Sequence, residues 1–224
     1  NSASVKNTGW EFLVNYRKQL TKDFSIDATL NLSTLKNEVL SLGDNVQPIT
    51  SGAMSSSFSD SPSITKPGAA IGSFYGYKCL GVYQNEAQTI ARDANNNPIM
   101  DMAGNPVYMT VNNVRMRPGD AIYEDVNHDG VIDKYDIVYL GNSMPILTGG
   151  FGINIGYKNF KVCTFFQGSV GQSAINKTRI NTENMYGADN QSTAVLRRWR
   201  HEGDNPEIPR ALWGRGYNYL GSDR

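Results

Sequence analysis

The stretch "FGINIGYKNFKVCTFFQG", Phe151 to Gly168, decides the fold. If Lys158-Asn159 is a two-residue turn, the commonest hairpin loop, the two halves of this stretch pair as antiparallel strands. The opposed pairs are then Tyr157–Phe160, Ile155–Val162, Ile153–Thr164 and Phe151–Phe166. Opposed residues share a face, so one face is apolar across both strands. The other face places Gly152 opposite Phe165 and Asn154 opposite Cys163.

A second pair of alternating segments lies near the start of the chain. Between positions 10 and 32 the even-numbered residues are mostly apolar and the odd-numbered residues mostly polar. If the apolar residues of both strands share a face, even-numbered residues pair with even-numbered residues. The number of residues in the turn between the strands must then be odd. We predict a three-residue loop, Thr21-Lys22-Asp23, that pairs Leu20 with Phe24 and Tyr16 with Ala28.

Long connections separate the two hairpins. The predicted organisation is a hairpin at 1–37, a loop region at 38–145, a hairpin at 146–168 and a second loop region at 169–224. Tight turns on one side and long loops on the other are typical of outer-membrane barrels. The predicted fold is all-β: antiparallel hairpins from a large transmembrane β-barrel with long extracellular loops, the barrel not closed by this chain. A soluble β-sandwich with one buried sheet face has the same periodicity and stays open as an alternative.

The stretch "DVNHDGVIDKYD", Asp125 to Asp136, resembles the calcium loop of an EF-hand. Oxygen-bearing residues fall at the expected offsets, and Gly130 stands at the sixth position, where such a loop turns sharply. Its flanks look like strands and not helices. The predicted structural calcium ligands are Asp125, Asn127, Asp129, the Val131 carbonyl, Asp133 and Asp136. The alternative is a set of Asx-turns, in which these side chains accept hydrogen bonds from backbone N–H groups.

Composition narrows the function. Twenty-one Lys and Arg balance 21 Asp and Glu, so there is no excess positive charge for a nucleic-acid surface. Cys79 and Cys163 form no metal-binding pattern, and we predict free thiols. The two histidines lie in no nucleophile motif. We predict no enzymatic activity and assign no catalytic residues; the residues that bind substrate are not identifiable from the sequence.

Four blocks, in order, resemble the SusC/RagA family of TonB-linked outer-membrane proteins. The first is the strand–turn–strand segment at 7–43. The second, 68–86, contains "GSFYGY". The third, 117–171, joins Pro-Gly-Asp, the acidic loop, "GNSMP" and "FFQG". The fourth, 195–213, contains Pro209-Arg210. Cys79 and the insert at 93–114 depart from the family pattern.

The resemblance implies nutrient import through the outer membrane. Family members take up glycan oligosaccharides, or peptides in some branches, with a SusD-like lipoprotein lid and energy from TonB. We therefore expect four barrel strands that contact outer-membrane lipid, with the TonB-contacting part, the plug and the closing strands outside this sequence. The alternative function is a secreted, calcium-stabilised β-module that binds carbohydrate or mediates adhesion. The two differ in whether the apolar faces form one outward band or pack against a second sheet.

Overall fold

The computed structural model describes residues 3–43, 46–51, 63–185, 187–204 and 206–214. The chain is all-β in character, as predicted. Its strands are β1 Ser4–Thr8, β2 Glu11–Thr21, β3 Phe24–Thr34, β4 Lys36–Ser41, β5 Ile49–Ser51, β6 Ser63–Thr65, β7 Ser73–Gly76, β8 Cys79–Val82, β9 Thr110–Val111, β10 Val114–Arg115, β11 Ala121–Tyr123, β12 Val131–Ile132, β13 Val138–Gly141, β14 Leu147–Tyr157 and β15 Phe160–Val170. One α-helix, α1, spans Lys177–Glu183, and 3₁₀ turns span Glu86–Thr89, Lys134–Asp136 and Thr193–Arg197.

The chain divides into two compact units. The first, here the sheet unit, comprises residues 1–49, 64–73 and 141–174; the second, the loop unit, comprises 50–63, 74–140 and 175–224. The sheet unit contains a four-stranded antiparallel sheet in the order β15-β14-β3-β2. Each of its strands is 11 residues long, the length that a tilted strand needs to cross a bilayer.

The hairpin of β14 and β15 has the predicted register. Tyr157 pairs with Phe160 and Phe151 with Phe166, with every intermediate pair as expected, including Asn154 opposite Cys163. Lys158, the first turn residue, has a positive φ of 52°. The sequence alone was sufficient here because the two-residue turn and the alternation give the same register.

The hairpin of β2 and β3 corrects one detail. From Glu11–Ser33 to Gln19–Ser25 even-numbered residues pair with even-numbered residues and odd with odd, as predicted, and Tyr16 pairs with Ala28. The register then shifts, and Thr21 pairs with Phe24. The predicted three-residue loop and the Leu20–Phe24 pair were therefore wrong. A bulge at Leu20 takes up the extra residue, which lets a tighter turn of Lys22-Asp23 close the hairpin.

Strand pairing runs beyond the expected hairpin ends. β1 pairs antiparallel with β4, which continues to Ser41, and β15 continues to Val170. Val39 is fully buried, and its N–H donates to the Ala69 carbonyl at 2.9 Å. Part of the predicted loop region at 38–145 thus belongs to the sheet unit.

The loop unit has its own apolar core. The buried residues are Tyr77, Tyr83, Ala91, Met109, Val111, Met116, Ala121, Tyr123 and Ile132. Short ladders surround them: β8 pairs with β11, and β9 pairs with β10 and β12. No helix within the described ranges is long and apolar enough to cross a membrane.

The insert that departs from the family pattern contains a repeat with an eight-residue period. Asp93 accepts backbone N–H bonds from Asn95 and Asn97, and eight residues later Asp101 accepts the same bonds from Ala103 and Asn105. In each turn the hydrogen bonds from the last Asn lower the pKa of the aspartate. The insert is therefore a short meander built from one turn used twice.

Candidate functional sites: an apolar sheet face and an acidic loop

The apolar residues of the four-stranded sheet lie on one face in cross-strand rows. One row is Val14–Leu30–Phe151–Phe166, and the next is Tyr16–Ala28–Ile153–Thr164. Large side chains on this face are open: the exposed fractions are 60% for Phe12, 56% for Val14, 59% for Val162 and 65% for Phe166. Among the described residues no second sheet covers these side chains. The face therefore forms one outward band, the arrangement expected of a barrel and not of a sandwich.

The opposite face is mostly polar or bare. Arg17 and Asp27 form an ion pair across β2 and β3, with Nη2 and Oδ2 2.6 Å apart. Along β14 this face carries Gly150, Gly152, Asn154 and Gly156. The large exceptions are Phe165, beside the glycines, and Leu13, which pairs with Asn31; they are 65% and 67% exposed. A polar face opposite a lipid-type face is typical of a barrel that encloses an aqueous lumen.

The height of the apolar band matches a membrane. At one end Trp10 pairs with Thr34 through two hydrogen bonds of 2.8 and 2.9 Å, and Trp10 is 74% exposed. At the other end lies the aromatic row Phe24–Tyr157–Phe160. Ten residues separate Phe24 from Thr34 along β3, which gives ~33 Å of strand, or ~25 Å of height at a tilt of ~40°. A lipid-facing barrel band has about this height, with aromatic residues at both borders.

The two tight turns lie side by side at the same edge, as predicted. β3 and β14 are adjacent and antiparallel, with Phe24 opposite Tyr157. The Lys158 N–H donates to the Asp23 carbonyl at 2.8 Å, which joins one turn to the other. Both long connections consequently leave from the opposite edge of this sheet.

The acidic loop is organised by its own backbone. Asp125 accepts from the N–H groups of Asp129 and Gly130, at 3.3 and 2.8 Å. Asn127 accepts from Asp129 at 3.2 Å, and Asp129 accepts from Val131 at 2.8 Å. These are the bonds of the Asx-turn alternative. As predicted, the flanks are strands, β11 before the loop and β13 after it.

The second half of the loop closes on the first through Asp136. Its carboxylate is fully buried and accepts from the N–H groups of Val126 and Asp133, both at 2.8 Å. Asp133 in turn accepts from Tyr135 and begins the 3₁₀ turn as its N-cap. Burial raises the pKa of Asp136, and the carboxylates of Asp125 and Asp129 add to this effect, while the two backbone bonds oppose it.

The structure brings the predicted calcium ligands into one loop without arranging them around a cation. Asp125 and Asn127 both accept from the Asp129 N–H, Asp129 accepts from Val131, and Asp133 and Asp136 form a capping box. Within the described ranges, no group of three or more His, Cys, Asp or Glu side chains is placed to hold a metal ion. A backbone bond occupies only part of a carboxylate's accepting capacity. Calcium binding therefore stays a prediction, and the Asx-turn bonds are what the geometry displays.

A buried ion pair links distant parts of the loop unit, and sequence reasoning missed it. Arg210 donates to both carboxylate oxygens of Asp120, at 2.7 and 3.2 Å, and Asp120 is fully buried. The Arg117 N–H donates to the same carboxylate, and the Arg210 N–H donates to the Gly119 carbonyl at 2.7 Å. The signals, Pro-Gly-Asp and Pro-Arg, stood in the sequence, but nothing local predicts that residues 90 positions apart pair.

An open groove of about 890 Å³ lies on the loop unit. Its walls combine the exposed side chain of Leu80 with charged groups of both signs, including Arg92 and Glu124. The Gln84 Nε2 donates to the Val82 carbonyl, while its Oε1 is buried and has no hydrogen-bond partner among the described residues. The groove therefore offers an apolar wall and charges of both signs.

Three curated proteins of Formosa agariphila resemble this sequence, and two of them match across most of it. TonB-dependent receptor P3 is 29% identical over 215 residues, and receptor P26 is 30% identical over 213 residues; each alignment covers 94% of this chain. The chain spans 19% of the length of either relative. No protein-family model matches the sequence.

Solved structures share the fold. The RagAB peptide transporter superposes with a TM-score of 0.64 over 97% of this chain and 21% of that chain, at 19% identity. The RagAB peptide importer in the closed-closed state gives 0.62 over 93% of this chain and 20% of that chain, at 20% identity. The fold and the outward apolar face define a segment of a large outer-membrane-type β-barrel. Over most of its length the chain is similar to a segment of TonB-dependent receptors, and it shares its fold with part of RagAB. These relatives are named as receptors and a transporter, in agreement with the prediction that the chain is not an enzyme.

Proposed function

We propose that this chain forms part of a TonB-dependent outer-membrane transporter that imports glycan oligosaccharides or peptides. The single observation that carries the proposal is the outward apolar band of the four-stranded sheet, backed by a polar face. A secreted module would leave these side chains in water, at a cost of about 25 cal/mol per Å² of apolar surface. A lipid-facing barrel wall has no such cost.

The proposed orientation follows from the edges of the sheet. Short turns of outer-membrane barrels face the periplasm and long loops face the outside. Lys22-Asp23 and Lys158-Asn159 would then lie on the periplasmic side. The loop unit would lie outside the cell, where imported molecules first arrive.

The proposed partners are a SusD-like lipoprotein on the outer side and TonB, contacted through a part of the protein outside this chain. The names of the relatives support dependence on TonB. For the cargo, the groove with Leu80, Arg92 and Glu124 is the candidate contact. Walls that combine apolar surface with charges of both signs suit peptides, and RagAB is a peptide transporter. The aromatic residues that line the groove, Tyr83 and Tyr123, are each only 3% exposed, which leaves little ring surface for stacking on a sugar.

We also propose that calcium, where bound, acts as a structural ion. Asp125, Asn127, Asp129, the Val131 carbonyl, Asp133 and Asp136 supply the hard oxygen ligands that calcium prefers. Their carboxylates repel one another, and a cation would relieve that repulsion. No transport step depends on the ion.

Uptake tests the proposal. Cells that express the intact protein with its partner lipoprotein are supplied with labelled oligopeptides or labelled oligosaccharides, with and without functional TonB. We expect TonB-dependent accumulation of one class. Leu80→Asp should reduce uptake while leaving the amount of protein in the outer membrane unchanged, and Leu40→Asp, an exposed position in the sheet unit, is the matched control. Failure to accumulate either class, or a protein found only in the secreted fraction, would reject the proposal.

A further inference from the structure

One residue of the outward band contradicts its apolar character. Lys18 pairs with Ile26, which in turn pairs with Ile155, so its row belongs to the apolar face. Among the described residues of this face it carries the only charge. It has no ion-pair partner within the part of the chain that the structure describes; Arg17, its neighbour, points to the other face and pairs with Asp27. An unpaired ammonium against hydrocarbon is costly, so Lys18 needs a partner that the described residues do not supply.

The position of Lys18 indicates where that partner lies. Its row is the one next to the aromatic row of Phe24, Tyr157 and Phe160 at the turn edge. One row spacing along a strand is ~6.6 Å, which a lysine side chain spans when it snorkels toward the interface. A snorkelling ammonium group would therefore reach the level of the two turns.

Two more lysines stand at this edge. Lys22 and Lys158 occupy the tight turns, and both are exposed. The Lys158 ammonium lies over the Tyr157 ring, 5.5 Å from its centroid, and the Lys158–Asp23 backbone bond holds the turns together. Asp23 is the one carboxylate in the two turns, so three ammonium groups face one acid. The edge carries a net positive charge directly beside an aromatic border.

We propose that Lys18, Lys22 and Lys158 form a binding site for the phosphate group of an anionic membrane phospholipid. The inference rests on the proposed barrel function, because it requires this edge to border a bilayer. The aromatic row packs on the part of the acyl chains next to the headgroup, and the three ammonium groups surround the headgroup phosphate. The lipid gives Lys18 its missing counter-charge, and in return fixes the depth of this edge in the membrane. Each basic group near a charged bilayer surface is expected to contribute about fivefold to the preference for anionic lipid.

The test uses the intact protein in nanodiscs of phosphatidylcholine, with or without phosphatidylglycerol. The readouts are the thermal midpoint and the phosphatidylglycerol molecules retained in native mass spectrometry. The variant is Lys18→Gln/Lys22→Gln/Lys158→Gln. The charge-matched control is Lys6→Gln/Lys36→Gln/Lys177→Gln, three exposed lysines that belong neither to the two turns nor to β2. Wild type and control should gain stability in phosphatidylglycerol, and the variant should lose most of that gain.

A single substitution separates lipid binding from folding. Lys18→Leu restores a continuous apolar face, so it should fold and insert at least as well as wild type. We expect it nevertheless to lose about fivefold in preference for phosphatidylglycerol. An unchanged preference in Lys18→Leu, an equal loss in the charge-matched control, or the same thermal shift with inorganic phosphate would each overturn the inference. If the wild type inserts and transports but shows no lipid preference, only this inference fails. If it does not insert at all, the proposed function fails first.

Discussion

The two units of this chain differ in where their apolar side chains face. In the loop unit, residues such as Met116 and Tyr123 are 1% and 3% exposed and pack together in a core. In the sheet unit, Phe12 and Phe166 are 60% and 65% exposed, and the polar residues form the other face. The same kinds of side chain therefore face inward in one unit and outward in the other.

The difference shows that each unit is built for a different solvent. A core such as that of the loop unit is stabilised by removing apolar surface from water. The sheet gains nothing comparable, because its apolar side chains have no protein neighbours on their outer side. Its two inner strands, β14 and β3, are hydrogen-bonded on both sides, and in a closed barrel further strands would pair with β15 and β2, as a bilayer demands. Adding or removing a charged side chain should consequently change stability for different reasons in the two units.

The largest effect should come from the buried ion pair of the loop unit. Arg210→Ala leaves the fully buried Asp120 carboxylate without its charged partner, and we expect a loss of about 3–5 kcal/mol. The control, Arg197→Ala, breaks a pair whose side chains are 56% and 63% exposed, and should cost under about 1 kcal/mol. Limited proteolysis of the intact protein between residues 110 and 214 measures both. Similar protease resistance in the two variants would show that the buried pair is not what joins the segments.

The next effect tests the sheet. Ile153→Arg places a charge near the middle of the apolar band, and we expect a cost of about 2–4 kcal/mol. Asn154→Arg puts the same side chain on the polar face, in the row of Asp27, and should cost much less. Urea unfolding of the intact protein in bilayers compares the two. Equal costs would mean that both faces meet the same environment, and would favour a sandwich core over a barrel wall.

A smaller difference between variant and control, about 1–3 kcal/mol, is expected at the turn of the acidic loop. Gly130 has a φ of 82°, and a Cβ there would lie 2.8 Å from the Ala91 Cβ in the core of the loop unit. Gly104 has a similar φ of 79° but open space around it. Alanine at either position costs about 1–2 kcal/mol of backbone strain, and Gly130→Ala adds about 1–3 kcal/mol of overpacking. Thermal unfolding of the two variants isolates the second contribution; equal midpoints would show that the loop is not packed on the core.

The sequence predicted most of the sheet and little of the loop unit. Strand registers follow from alternation and turn length, which are local, so the β14–β15 pairs were all correct. The bulge at Leu20 was missed because an odd-length turn and a tight turn with a bulge satisfy the same face arithmetic. The Asp120–Arg210 pair was missed because it depends on how long connections fold back, which no local pattern records. The acidic loop was located correctly, but offsets alone do not separate ligands from turn acceptors.

The smallest expected effect tests whether the side chains of the acidic loop are calcium ligands or only turn acceptors. If the loop binds calcium, an extracellular site can be weak, with a dissociation constant of about 10⁻⁴–10⁻³ M. Titration calorimetry of the intact protein should then show calcium heat that Asp129→Ala abolishes. The matched control is Asp101→Ala, which removes an aspartate whose turn bonds are similar but which lies outside the acidic loop. At ten times the dissociation constant, the bound ion would add only about 1.4 kcal/mol to stability. If the wild type gives no calcium heat, the carboxylates serve the backbone N–H groups alone, and the loop unit is held by its core and its buried ion pair without a metal.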